Sequence, residues 1–347
     1  MERVSYFIRR LLLIIPTFIG ISLVCYAITQ FVPGGPVEQA MASMRGFGGA
    51  EGLGGHVRSD STVSDSYRRE LVKRFGFDRP FHERYWKWLV TERLGLRMES
   101  YKYSNRTAWE LISERFPVSL MFGLTGFVLS YLVCIPLGIA KALRHGSRFD
   151  LASSVVVFVG YAIPPLAFGM LLKMLLCGTV DGLFDIFPIS GYRSDNSEAL
   201  GAWGQFADLS WHMALPVLCY VIGDFAILTL LMKHAMLDQI GQDYVRTVLA
   251  KGGSMQRAVW GHAMRNSLIP IATGFGAILT LMFAGSVVIE QVFEIPGMGK
   301  LGLEALVGRD YAVFMGIISV TSILSLLGNV LSDFCYVLID PRIDFRR

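Results

Sequence analysis

Two charged side chains stand where charge is expensive. Asp224 interrupts an otherwise apolar run at 213–232, and Lys173 directly follows another at 151–172. A carboxylate near the middle of a hydrocarbon-spanning helix is costly and rare, so it marks a functional position by default, one that would meet a cation. A structural partner is the other reading: a Ser or Thr hydroxyl, a backbone group or Lys173 itself could satisfy it. Lys173 can swing its long stem toward a nearby interface and keep its ammonium wet.

Other chemistry is missing from the sequence. No G-x-x-x-x-G-K-[ST] phosphate loop occurs; Gly299-Lys300 is followed by Leu301. His82-Glu83 lacks the second histidine of a zincin helix, and no G-x-S-x-G nucleophile turn is present. The six histidines are scattered, and all five cysteines (Cys25, Cys134, Cys177, Cys219, Cys335) lie in or beside apolar runs, as small core hydrophobes do. Neither a catalytic constellation nor a metal or cofactor site is expected.

The elements that must position Asp224 and Lys173 are long and apolar. Hydrophobic residues make up 53% of the 347 positions and charged ones only 17%, below the usual quarter. Runs 11–32, 116–140, 151–172, 266–289 and 311–332 contain no Asp, Glu, Lys or Arg, and 213–232 contains only Asp224. Crossing about 30 Å of hydrocarbon takes roughly 20 such residues. A soluble core of six helices would need polar faces that these runs lack. An all-α membrane protein with six transmembrane helices is therefore expected. The first run is too long for the core of a cleavable signal peptide, and no small-residue cleavage site precedes Pro33.

Positive charge orients the bundle. With both termini in the cytoplasm, segments 1–10, 141–150, 233–265 and 333–347 hold 14 Lys and Arg, against three (Arg193, Lys300, Arg309) in 179–211 and 295–310. That asymmetry is the positive-inside pattern, and it accounts for the net charge of +4 without a nucleic-acid partner. The long 33–115 segment carries 14 more, but loops of that length cross largely regardless of charge. It opens on Pro33-Gly34-Gly35-Pro36, which ends a helix. Helical spacing between 67 and 94 predicts two short amphipathic helices there, with Tyr85, Trp86 and Trp88 suited either to the membrane interface or to packing within the loop. The expected divisions are 1–32 (N-terminal segment and first span), 33–115 (periplasmic loop region), 116–339 (five-helix core) and 340–347 (cytoplasmic tail).

Segment 233–265 is too polar for the membrane and too regular for a linker. Leu237, Ile240, Tyr244 and Val248 share one helical face, Gly252-Gly253 breaks it, and Ser254 can cap a second short helix carrying Met255, Val259 and Trp260. Helix, glycine break and helix, rimmed by basic residues, form a knob suited to a groove on a soluble partner.

The run Asp243-Tyr244-Val245-Arg246-Thr247-Val248-Leu249-Ala250-Lys251-Gly252, with His262-Ala263-Met264-Arg265-Asn266-Ser267-Leu268-Ile269-Pro270, resembles the ATPase-coupling loop of ABC importer permeases, more narrowly the dipeptide/oligopeptide family. Val248 and Leu249 stand where that family usually has Ala and Arg. Phe7-Ile8-Arg9-Arg10-Leu11-Leu12, Phe75-Gly76-Phe77-Asp78-Arg79-Pro80, Ile135-Pro136-Leu137-Gly138-Ile139 and Phe293-Glu294-Ile295-Pro296-Gly297-Met298-Gly299 extend the likeness along nearly the whole chain. Pro33-Gly34-Gly35-Pro36 and the tail Leu338-Ile339-Asp340-Pro341-Arg342-Ile343-Asp344-Phe345 are similar to the YejB branch, associated with peptides including peptide-nucleotides of the microcin C type.

The resemblance implies a type I importer permease fold in the bacterial inner membrane. It further implies a second, homologous permease, an ATP-binding cassette ATPase as separate or fused tandem domains using ATP and Mg, and a periplasmic peptide-binding protein. It makes Asp243, Tyr244, Val245, Arg246, Thr247, Ala250, Lys251, Gly252, His262, Arg265 and Asn266 the ATPase-coupling residues, with Asp224 and Lys173 placed toward the path of the peptide. Two rivals remain at this level. One is a permease of the same family for another solute, such as a nickel complex. The other is an ATP-independent secondary transporter, which would show inverted repeats that are not seen here.

Overall fold

The computed structural model describes residues 2–31, 69, 72, 78–103, 105–180, 184–272 and 285–339, and among them every regular element is helical. In chain order they are α1 (Glu2–Phe31), α2 (Phe81–Trp86), α3 (Ala108–Leu143), α4 (Arg148–Ala162), α5 (Pro165–Leu176), α6 (Ala202–Ile240), α7 (Asp243–Ala250), α8 (Met255–Ala258), α9 (Met264–Ala272), α10 (Val287–Val292), α11 (Met298–Val307) and α12 (Tyr311–Ile339). Single π turns follow α2 at Lys87–Thr91 and α8 at Val259–Ala263.

The apolar runs mark these helices but not their lengths. α3 has 36 residues and α6 has 39, so α6 measures about 58 Å at 1.5 Å per residue, well beyond the hydrocarbon thickness. Polar residues continue both helices past the apolar run, because helix formation does not stop where hydrophobicity does. Among the described residues, four helices are long and apolar enough to cross a membrane: within α1, α3, the first part of α6, and α12. The run 151–172 differs from a single straight span. It forms α4 and α5, bent by 94° at Ile163-Pro164. Proline removes a backbone donor and drives the preceding residue to extended backbone, and Ile163 sits at φ −87°, ψ 119°. Pro165 then starts α5 at the position where its missing N–H costs nothing. If that pair is one span, the described residues contain five. Much of the sixth run, 266–289, lies outside the described residues, as does most of the first helix expected between 67 and 94.

The chain divides into two compact units. The first comprises residues 1–14, 115–300 and 323–347. One of its apolar clusters joins Val118 and Phe122 of α3 to Cys219 and Tyr220 of α6 and to Ile289 and Phe293 in and after α10. A second joins Cys134 and Ile139 of α3 to Met232 and Met236 of α6, Val245 of α7, Ala258 and Val259. α3 and α6 approach closely where α3 carries glycine: a Cβ on Gly138 would stand 2.6 Å from Met232 Cβ and 2.9 Å from the Thr229 carbonyl oxygen. Small residues at helix contacts are how apolar helices gain dispersion energy in lipid. Near the chain ends, Arg10 pairs with Asp333 at 2.9 Å, and Tyr6 donates to the same carboxylate at 3.4 Å.

The second unit comprises 15–114 and 301–322. Tyr26 of α1 packs among Phe81, Tyr85 and Trp88 with ring centroids 5.6–5.7 Å away, and Tyr85 hydrogen-bonds Ser22 at 2.8 Å. Of the aromatics expected either at a membrane interface or packed within the loop, Trp88 is buried in this cluster, whereas Trp86 is exposed. Ser100 donates to the buried Asp310 carboxylate, Tyr103 donates to Glu304 at 2.8 Å, and Ser319 donates to the Leu94 carbonyl at 3.0 Å.

Candidate functional site

The protruding 233–265 segment is built by short-range rules. α6 ends at Ile240, Gly241-Gln242 turns the chain, and α7 starts at Asp243, whose carboxylate favours a helix N-terminus. Leu237 and Ile240 therefore sit on α6, and Tyr244 and Val248 on α7, not on one continuous helix as their spacing predicts. All four still pack against the same apolar cluster, which explains why the spacing looked continuous. α7 stops at Ala250. Gly252 takes φ +81°, a left-handed conformation that glycine reaches without strain. Ser254 then accepts from the Arg257 N–H at 3.3 Å, the expected N-cap. The second helix is a single turn that passes through the π turn into α9.

The segment has an inner and an outer face. Val245, Ala258, Val259 and Ala263 are fully buried against α3 and α6. Tyr244 donates to Gln239 Oε1 at 2.8 Å, and the Asn266 amide reaches the Tyr244 hydroxyl at 3.5 Å, binding α7 to α6 and α9. Thr247 returns its hydroxyl to the Asp243 carbonyl at 2.9 Å. Asp243, Arg246, Thr247, Ala250, Lys251, Gly252, His262 and Arg265 are exposed, together with Leu249, Met255 and Trp260. An apolar ridge flanked by positive charge is thus presented outward, while the inner face ties it to the two longest helices.

Lys173 is held by groups in and after α10. Lys173 Nζ donates to the Val292 carbonyl at 3.0 Å, the last residue of α10, with the Glu294 carboxylate at 3.9 Å. A cation at a helix C-terminus is favourable, so the Val292 carbonyl is a structural partner for Lys173. Asp224 lies within α6, and its side chain is outside the described residues.

In the first unit, sequence reasoning missed two buried carboxylates, because each adjoins the end of an apolar run and reads as a boundary. The first is Asp150. It is buried and bidentate to Lys233 Nζ at 2.7 and 2.8 Å, with Lys141 Nζ at 3.2 Å; both lysines had counted only as orienting charges. The second is Glu290. It accepts from Ser119 Oγ at 2.8 Å and from the Lys300 N–H at 2.8 Å, while Ser119 Oγ also accepts from the Met298 N–H at 2.6 Å. A Cβ on Gly297 would fall within 2.3–2.5 Å of the Glu290 carboxyl, so only glycine lets the Pro296-Gly297-Met298-Gly299 turn close around it.

Comparison with known proteins places this architecture. Residues 134–345, well over half the chain, match the family described as the inner membrane component of binding-protein-dependent transport systems. The inner membrane ABC transporter permease protein YejB of Escherichia coli O157:H7 is 41% identical across 98% of this chain and 99% of its own length. The peptidoglycan transport system permease protein YejB of Agrobacterium fabrum is 37% identical across 99% of each. The oligopeptide transport system permease protein AppB of Bacillus subtilis is 32% identical across 98% of this chain and 99% of its own. With such likeness over nearly its full length, the chain belongs to the family of inner-membrane permease components of binding-protein-dependent ABC transport systems.

Proposed function

We propose that this chain is one of two permease subunits of an ATP-driven peptide importer, and that residues 233–265 couple it to the ATPase. The observation that carries this reading is the two-faced protrusion at the end of α6. Its inner residues Val245, Ala258 and Val259 lock it to α3 and α6, and its outer residues Arg246, Lys251, Met255 and Trp260 are exposed. A push on that face is carried into long, packed helices, as a two-state transport cycle needs.

In this reading six helices cross the inner membrane, with both termini in the cytoplasm and 33–115 on the periplasmic side. A homologous permease completes the channel. Partner ATPase domains, separate or fused, bind ATP and Mg; a periplasmic binding protein delivers the substrate; and Asp224 lines the path. Relatives named for oligopeptide and peptidoglycan transport support a substrate carrying peptide bonds, free peptides or cell-wall peptide fragments. Peptide-nucleotides fall in the same class, whereas a nickel complex would require a different receptor.

The test is uptake into vesicles holding the full transporter, with labelled trialanine and a muropeptide in parallel arms, comparing wild type with Lys251→Glu. ATP-dependent uptake that falls at least tenfold in the variant, with insertion unchanged, supports the coupling role. Undiminished uptake removes Lys251 from it. Uptake by this chain alone sinks the subunit reading.

A further inference from the structure

The two lysines on Asp150 are not equivalent. Lys141 is fully buried, and everything that holds it comes from its own hairpin: the Asp150 carbonyl at 3.0 Å, Ser153 Oγ at 2.8 Å, Ser154 Oγ at 2.7 Å and the Asp150 carboxylate at 3.2 Å. Lys233 comes from α6, 83 positions away, and among the described residues both its hydrogen bonds go to Asp150. Lys233 also keeps about 10% of its side chain exposed, against none for Lys141. Asp150 has further support from the Gly146 N–H at 3.2 Å and from His145 at 3.4 Å.

This asymmetry has a mechanical meaning. Breaking a buried ion pair is costly because it strands an uncompensated charge. Here, withdrawal of Lys233 strands nothing. Asp150 keeps Lys141 and its backbone donor, and Lys233, ten residues before α7, can extend its stem to water. Lys141 cannot leave without giving up all four of its contacts at once.

We propose that Lys233 and Asp150 form a releasable latch between α6 and the α3–α4 hairpin, with Lys141 as the standing counter-ion that makes release inexpensive. The latch holds the 233–265 protrusion in the resting state and opens when the protrusion is driven. Lys233 is a positioning residue, acting through α6. The proposal rests on the importer reading given above, since it is the ATPase that would do the driving.

The two lysines then differ in the sign of their effects, which a merely structural role would not produce. In the complete transporter in nanodiscs, Lys233→Met removes the latch and raises ATP turnover, without peptide or binding protein, at least threefold; Lys233→Arg restores the wild-type rate. Lys141→Met makes release strand Asp150, so ATP turnover stimulated by binding protein falls at least threefold while the latch stays shut. Spin labels at the exposed positions Arg148 and His234, in a cysteine-free background, read the latch directly. Their separation should lengthen on trapping with ATP and vanadate in wild type, be long from the start in Lys233→Met, and stay short in Lys141→Met. Equal signs for the two methionine variants, or a separation indifferent to nucleotide while ATP is hydrolysed, would overturn the latch. A chain that recruits no ATPase activity would instead refute the importer reading, and the spin-label distance in Lys233→Met against wild type would still decide whether the contact holds α6.

Discussion

Ser119 of α3 donates a 2.8 Å hydrogen bond to Glu290, 171 positions further along, and through the same oxygen accepts from the backbone N–H of Met298. A buried carboxylate is tolerable only when its lone pairs are met, and here hydroxyl and amide donors supply what water would.

Glu290→Gln should therefore destabilise despite its near-identical shape. An amide cannot accept from both Ser119 and the Lys300 N–H without turning its own NH2 against a donor. Ser119→Ala should also destabilise, by leaving the Met298 N–H without its acceptor. Each should cost about 1–3 kcal/mol. The double variant should cost less than the sum, because the two residues share one network. Melting in detergent of the four members of that cycle is the measurement, and strict additivity would contradict the shared network.

Lys173→Met tests whether the ammonium caps α10 or meets the substrate. Its hydrogen bond to the Val292 carbonyl predicts a loss of about 1 kcal/mol in stability, the lower end for a partly exposed charged bond. Peptide uptake should stay within twofold of wild type. A KM raised tenfold at unchanged stability would return Lys173 to the translocation path.

Asp224→Asn is the matching test for the one charge within the apolar part of α6. If its carboxylate meets the amino end of a peptide, the KM for free peptides should rise at least tenfold while amino-acetylated peptides, already poor, change little. Equal transport of both sets by wild type and variant would leave Asp224 a structural residue.

Gly252 stands at φ +81°, and no atom lies within 4 Å of where its Cβ would be. Substitution there meets backbone strain and no clash. Gly252→Val should cost about 1–2 kcal/mol and Gly252→Asn distinctly less, since asparagine visits the left-handed region. If the turn sets the angle between α7 and α8, ATP-dependent uptake should fall in the same order, valine below asparagine below glycine. Uptake insensitive to all three would separate the turn from coupling.

What could be read in the sequence was local. Gly252 and Ser254 announce a break and a cap within a few residues, and both occur where the spacing puts them. The apolar runs located α1, α3 and α12 but not their extents, because Ala108 to Arg115 and Ala202 to His212 are helical without being uniformly apolar. Pro164-Pro165 can bend a helix, yet a 94° turn depends on how α5 packs against α6 and α10, which no local pattern encodes. The charge sites were the least legible. Asp150 finds Lys233 and Glu290 finds Ser119 only after the helices assemble, so one-dimensional spacing carries no trace of either pair.

Arg10 and Asp333 meet although almost the whole chain separates them, with Tyr6 on the same carboxylate. For a protein made from one end to the other, this bond is a clock. Arg10 is among the first residues made, and nearly all of synthesis passes before Asp333 exists to receive it. A chain cut short before α12 lacks the carboxylate with which Arg10 pairs. The contact between the first and last helices can therefore form only once α12 has been made.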